Sequence, residues 1–385
     1  RGLAKLSGYE FEEQLPVNVL GHIFEQSITD LESIRRQVHD DVDPDELRPD
    51  ASTHDGQRHR EGIYYTPDYI VRYIVDNTVG AYLREKEREI QAKHRLTGRL
   101  GEKGYAERQQ KAYIEFQFIL QDIKVLDLAC GSGAFLVYVF DYLFRENQRV
   151  ADILGDAALY STDDFVRNIL TTNIFGVDLN RESVEITKLS LWLKTAEKNK
   201  PLASLDGNIK CGNSLIDNAM FTDKPFNWSE DFAAVISKGG FDVVVGNPPY
   251  VNAIEMSRSI AAPERRFMRS GYATAVGAVD LYIYFFERGI ELLKPGGKLG
   301  FITPNRWLSV SYGAALREWL IDNAEFDSIL NASDTHVFED ADVYPVITIL
   351  NKRSTGVPYK ITAGRLEEMS AVPLGTDHDS AKLST

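Results

Sequence analysis

The chain has 385 residues, 43% of them apolar and 26% charged, with a formal net charge of −14. That length supports a large buried core plus accessory segments, and no apolar run is long enough to cross a bilayer as a helix. An acidic balance excludes a uniformly polyanion-binding surface, so any phosphate contact must come from local basic clusters.

Two cysteines, Cys130 and Cys211, and seven scattered histidines supply neither a disulfide framework nor metal-ligand spacing. Reduced thiols, a cytoplasmic setting and metal-free chemistry are therefore expected. The chain begins at Arg1 without a secretory signal and reads as a piece of a longer protein.

Residues 1 to about 40 have helical spacing, with Leu20, Ile23, Phe24, Ile28, Leu31 and Ile34 apolar and Glu and Arg between them. Residues 40–61, polar and carrying two prolines, form a loop. At Tyr64-Tyr65-Thr66-Pro67 a helix starts, with Thr66 as N-cap and Pro67 in the first helical position. Ile70, Val71, Ile74, Val75 and Val79 give it an apolar stripe. Arg84 to Lys111 is rich in Lys and Arg interleaved with Glu, the pattern of a solvated helix face or of a basic contact surface.

Ile123 to Leu128 reads as a strand, Ala129-Cys130-Gly131-Ser132-Gly133 as a tight loop and Ala134 onward as a helix. Ala129, Gly131 and Gly133 let a ligand approach the backbone, while Asp127 at the strand end can meet a cationic amino group. A dinucleotide site would want glycine where Leu136 stands, and the Gly-Lys-Ser/Thr of a phosphate-cradling loop is missing. A second strand, Asn173 to Asp178, ends in a carboxylate suited to two ribose hydroxyls. A third, Ile209 to Leu215, carries Asn213 and Ser214 at its end, where a polar side chain can read an adenine edge. Ribose, adenine and an amino-acid ammonium together describe S-adenosylmethionine.

The unbroken run Phe241 to Gly246 reads as a buried parallel strand, and Asn247-Pro248-Pro249-Tyr250 follows it, where open α/β sheets place their ligands. The plain alternative is a strand-ending turn. The tetrapeptide suits methyl transfer to a planar nitrogen. An exocyclic amine is a poor nucleophile because its lone pair is delocalised. Acceptors at the Asn247 side-chain oxygen and the Pro248 carbonyl favour the pyramidal nitrogen of the transition state. Pro248 and Pro249 hold those acceptors still, and Tyr250 offers a face for stacking. Arg258, Arg265, Arg266 and Arg269 follow in a stretch that reads as irregular, near Phe267 and Tyr272, and are candidates for a backbone clamp.

In this order the segments resemble a gamma-class N6-adenine DNA methyltransferase over about residues 61–352, with the cofactor motifs first and Asn-Pro-Pro-Tyr after them. Only roughly thirty residues separate Ser214 from Asn247, too few for a DNA-reading domain between them. The resemblance implies a Rossmann-like S-adenosylmethionine-dependent α/β fold with a mostly parallel seven-stranded sheet, preceded by a helical connector (residues 1–60). Residues 353–385 would begin a truncated target recognition domain. It further implies that Thr66 contacts the methionine part of the cofactor and that Phe338 packs on an extruded adenine opposite Tyr250. Asp280 to Phe286, Lys298 to Leu308 and Val337 to Leu350 resemble the helix, the strand with its loop, and the last motif of that catalytic domain. Many relatives carry Asp at the position of Asn213. The expected partner is double-stranded DNA, with nuclease and recognition domains outside these residues, as in type IIG restriction-modification proteins. Two rival readings share the cofactor site or the fold: a glutamine N5 protein methyltransferase and a non-catalytic DNA-binding subunit.

Overall fold

Successive residues of the central strands feed two separate hydrophobic cores. Val125, Val243 and Val245 pack on one face of the sheet, while Leu126 and Val244 pack on the other. This is why the sequence shows unbroken apolar runs there rather than alternation: both faces of a parallel sheet are covered by helices. The structure, a computed structural model, describes residues 66–96, 104–195, 203–332, 344–353 and 362–365. The helical connector, the loop before Thr66, Tyr64, Tyr65 and Phe338 lie outside the described residues.

The strands are β1 (Val125–Asp127), β2 (Ile174–Asp178), β3 (Ile209–Cys211), β4 (Phe241–Gly246), β5 (Leu293–Pro304), β6 (Ala324–Asn331), β7 (Pro345–Lys352) and β8 (Thr362–Arg365). They form one sheet in the order β3-β2-β1-β4-β5-β7-β6-β8, and β7 alone runs against its neighbours. The expected seven strands are β1 to β7. Thr362–Arg365 adds an eighth, parallel to β6, which the polar character of the surrounding sequence conceals.

The longer helices are α1 (Asp68–Asn77), α2 (Val79–Lys93), α3 (Tyr105–Asp122), α4 (Ala134–Leu154), α5 (Thr162–Asn168), α6 (Arg181–Thr195), α7 (Ala253–Ser259), α8 (Ala262–Gly271), α9 (Leu281–Leu292) and α10 (Ala314–Asn323). Helices α1 to α4 and α6 cover the first face, and α9 and α10 cover the second. Of the charged stretch from Arg84 to Lys111, residues 84–93 lie on α2 and 105–111 on α3; Lys93 and His94 reach Glu115 and Lys111 reaches Glu107.

Chain direction across the sheet fixes where a ligand can enter. From β1 the chain moves outward through β2 to β3, then returns across β1 to begin β4 on its other side. Strand order therefore reverses between β1 and β4, and the loops leaving their carboxyl ends diverge to open a crevice. Asp127 closes β1 opposite Val245, and Asn247 follows directly after β4.

Candidate active site at the strand-order reversal

The loop after β1 is tight because its backbone turns left-handed twice. Gly131 and Gly133 have φ values of 52° and 90°, and a Cβ on Gly133 would meet the Thr187 side chain of α6 at 2.9 Å. Thr187 Oγ1 donates to the Gly131 carbonyl at 2.8 Å, fastening α6 to the loop. Leu136, at the place where a dinucleotide fingerprint has glycine, is fully buried; a Cβ on Gly176 would meet it at 2.8 Å.

Asp178 ends β2 half-buried, and its two carboxylate oxygens accept the Gly131 and Asn180 amides at 2.9 and 2.8 Å. Asp127 is buried, and its Oδ1 accepts the Ala129 amide at 3.1 Å. Burial pushes the Asp127 carboxyl up to about 8, against the pull of that amide and with help from the nearby Asp178 charge. A carboxyl so buried is a costly thing to keep unless a cation meets it.

Asn213 is half-buried and its Oδ1 turns back to the Leu215 amide at 3.1 Å. The Ser214 hydroxyl is buried and donates to the Leu128 carbonyl at 2.6 Å, so it braces the end of β1 rather than facing the crevice.

At the end of β4 the two halves of the site touch. A Cβ on Gly246 would stand 2.8 Å from Asp127 Oδ1, so only a residue without one brings the two loops this close. Asn247 follows half-buried, Pro248 and Tyr250 are buried and Pro249 is half-buried. Asn247 Nδ2 donates to Thr66 Oγ1 at 3.0 Å.

That contact changes the expectation for Thr66. The structure places Pro67 at the N-cap of α1 with no side-chain cap bond, and the helix opens at Asp68. The buried Thr66 hydroxyl is engaged by Asn247 instead of the helix end.

The arginines after Tyr250 also sit differently. The stretch is a helix pair, α7 and α8, because Asn252 and Glu255 form a reciprocal capping box and Pro263 opens the second helix. Arg265 donates to the carbonyls of Met256 and Ser257 at the end of α7, binding the pair together. Arg258, Arg266 and Arg269 are exposed. The neighbouring aromatics turn inward: Phe267 lies against Phe221, and Tyr272 donates to the Leu215 carbonyl.

A glycine-turned loop after β1, a carboxylate ending β2 and a strand-order reversal between β1 and β4 define a Rossmann-like S-adenosylmethionine-dependent methyltransferase fold. Residues 172–338 match the model of the Eco57I restriction-modification methylase family.

The chain is 27% identical over 361 residues to the type II restriction enzyme and methyltransferase RM.Eco57I of Escherichia coli, covering 88% of this chain and 31% of that enzyme. It is 39% identical over 127 residues to the type II methyltransferase M.PaeR7I of Pseudomonas aeruginosa, covering 33% of this chain and 21% of the relative. The chain thus spans under a third of the length of either relative. Among solved structures, the type IIL restriction-modification enzyme MmeI in complex with DNA shares the fold at a TM-score of 0.59 and 16% identity, over 83% of this chain and 40% of that one. The type ISP enzyme LlaGI, as a nuclease-deletion mutant with a DNA substrate mimic, does so at 0.51 and 18%, over 94% and 34%.

No described helix is long and apolar enough to cross a membrane, and no group of three His, Cys, Asp or Glu among the described residues could hold a metal ion.

Proposed function

We propose that this chain is the catalytic portion of a site-specific DNA adenine-N6 methyltransferase in a restriction-modification or related defence system, fused to nuclease and recognition domains outside these residues. What supports the reading is the meeting of Asn247 with the cofactor half of the site: a tetrapeptide built to accept N–H groups stands one glycine away from Asp127, at the crevice where the strand order reverses. The names of the relatives, among them adenine-specific methyltransferases called PglX, support the same chemistry.

The residues present fit S-adenosylmethionine. Asp127 would meet its ammonium, the backbone at Ala129, Gly131 and Gly133 would face its methionine end together with Thr66, Asp178 would take the ribose hydroxyls, and Asn213 would read the adenine edge. Ser214 would serve the pocket indirectly by bracing β1. When bound, the cofactor supplies an electrophilic methyl on a sulfonium.

An adenine within a duplex cannot present N6 to that methyl, so it rotates out at a cost of a few kcal/mol, which stacking on Tyr250 and Phe338 partly returns. Asn247 Oδ1 and the Pro248 carbonyl accept the two N6–H groups and draw the lone pair out of conjugation. Pro249 fixes the backbone between them and Tyr250. The amine becomes acidic only as the new bond forms, so its proton leaves to water without a strong base. Arg266 and Arg269, exposed on α8, clamp phosphates beside the extruded base. Arg265 sets the α7–α8 geometry that presents them.

The experiment is transfer of labelled methyl from S-adenosylmethionine to adenine-unmethylated genomic DNA by the full-length protein, with digestion to nucleosides. Label in N6-methyladenosine is expected. Cofactor binding with no label in DNA would overturn the reading.

A further inference from the structure

We infer that Asp280 is a positioning residue for Tyr250, holding the segment that follows the Asn-Pro-Pro-Tyr tetrapeptide in place; the inference rests on the proposed role of Tyr250 as the platform for the substrate base. Asp280 occupies the N-cap position of α9, where an aspartate ordinarily accepts amides of its own helix. Here it makes no such cap bond. Its buried carboxylate accepts the Tyr312 hydroxyl at Oδ2, 2.5 Å away, and the Ala253 backbone N–H lies close enough to steady its charge. The Tyr282 and Tyr312 hydroxyls are themselves 3.1 Å apart, and the exposed Arg306 guanidinium lies close enough to offset the buried charge.

The next residue completes the clamp. Leu281 N–H donates to the Val251 carbonyl at 2.9 Å. Val251 is thus tied to the first residue of α9, and Asn252 after it is fixed by its capping box with Glu255. The two residues after Tyr250 therefore have their backbone anchored, the first of them to the start of α9. A stacking platform on a free loop would lose ordering entropy each time a base docked; this lacing removes that cost before binding. Tyr312 sits after β5 in the short turn Ser311–Gly313, and its hydroxyl ties that turn to the start of α9 through Asp280.

The test uses the full-length protein with Asp280→Asn and Tyr312→Phe. The first keeps the shape of the side chain but can turn an amide N–H toward Ala253; the second removes only the donor that orients the carboxylate. Hydrogen exchange of the peptide covering 250–254 should quicken at least tenfold in Asp280→Asn and less in Tyr312→Phe, while the 129–133 loop stays protected. Calorimetric S-adenosylmethionine affinity should remain within twofold of the parent, and DNA methylation should fall tenfold or more in kcat. Unchanged exchange at 250–254 in both variants overturns the inference, as does equal loosening of the 129–133 loop, which would mark a general loss of structure. Exchange needs no substrate, so a parent protein that methylates no DNA would defeat the proposed function while leaving this measurement decisive.

Discussion

Asn247 donates its side-chain amide to the hydroxyl of Thr66, 181 positions earlier in the chain, at 3.0 Å. An amide committed through Nδ2 has only one way to turn Oδ1, and that is away from Thr66. If Oδ1 is the acceptor for the substrate amine, Thr66 selects the productive face of Asn247. Thr66→Val, nearly isosteric but without an acceptor, should lower kcat about tenfold, on the order of 1.4 kcal/mol and within the usual worth of one hydrogen bond. Thr66→Ser should restore it. A role confined to the cofactor would instead show as a weaker S-adenosylmethionine Kd at unchanged kcat, and calorimetry beside steady-state kinetics separates the two.

Asn247→Ala removes the acceptor itself. Loss of one preorganised acceptor at a developing charge costs roughly 100- to 1000-fold in kcat. Cofactor affinity should hold, because Asn247 meets Thr66 and not the Gly131–Gly133 loop. Turnover within threefold of the parent would remove Asn247 from the mechanism.

What could be read from sequence alone divides along one physical line. Asp127 and Asp178 each end a buried strand and Asn247 directly follows one, so local pattern was enough to place them at the carboxyl edge of a parallel sheet. The commitments of their neighbours depend on partners far away in the chain. Thr66 has the sequence of a helix cap, yet its hydroxyl answers Asn247. Ser214 looks like a site residue, yet it holds the Leu128 carbonyl across 86 positions. Arg265 shares the charge of Arg266 and Arg269, and only the fold of α7 onto α8 turns it inward. Asp280 has the residue type and the position of a cap and uses neither. Short polar side chains bond whatever the tertiary fold brings within 3 Å, and local propensity carries no record of that.

Stability is concentrated at the opposite end of β4. Buried Asp242 accepts the Lys124 amide at 2.8 Å, the Tyr82 hydroxyl at 2.9 Å and Lys294 Nζ at 2.8 Å, tying α2, the approach to β1 and the start of β5 to one carboxylate. Asp242→Ala would strand one buried and two half-buried donors and should cost about 3 kcal/mol. Thermal unfolding should move down by several degrees while kcat well below the new midpoint stays near that of the parent. A parallel loss of kcat would show that the carboxylate reaches the site.

Gly246 is the narrowest point between the two halves of the site. Gly246→Ala would place a methyl 2.8 Å from Asp127 Oδ1, and Phe301 behind it at 3.7 Å leaves little room to retreat. The carboxyl must then shift, so the S-adenosylmethionine Kd should weaken at least tenfold with the fold intact by circular dichroism. An unchanged Kd would mean that Asp127 does not touch the cofactor.

Asp127 also sets a pH dependence. Burial holds its folded carboxyl up to about 8, whereas an unfolded aspartate titrates near ~4. The group therefore favours the folded, cofactor-free protein most at low pH, and that contribution declines as the pH rises from about 4 to about 8. Cofactor binding has the opposite slope. An ammonium beside Asp127 favours the carboxylate, so below pH 8 binding must expel a proton, and the Kd should tighten as the pH rises toward 8 and then level. The Cys130 thiol is pushed well above its ordinary value by burial and stays protonated throughout this window, and the Asp178 charge adds to the upward push on Asp127. Calorimetry in two buffers of different ionisation enthalpy should record close to one proton released near pH 6.5 in the parent and none in Asp127→Asn, whose Kd should be weaker and flat with pH. A parent Kd that does not move between pH 6 and 8 would show that Asp127 keeps one protonation state in both forms, and that the cation it meets is not the cofactor's.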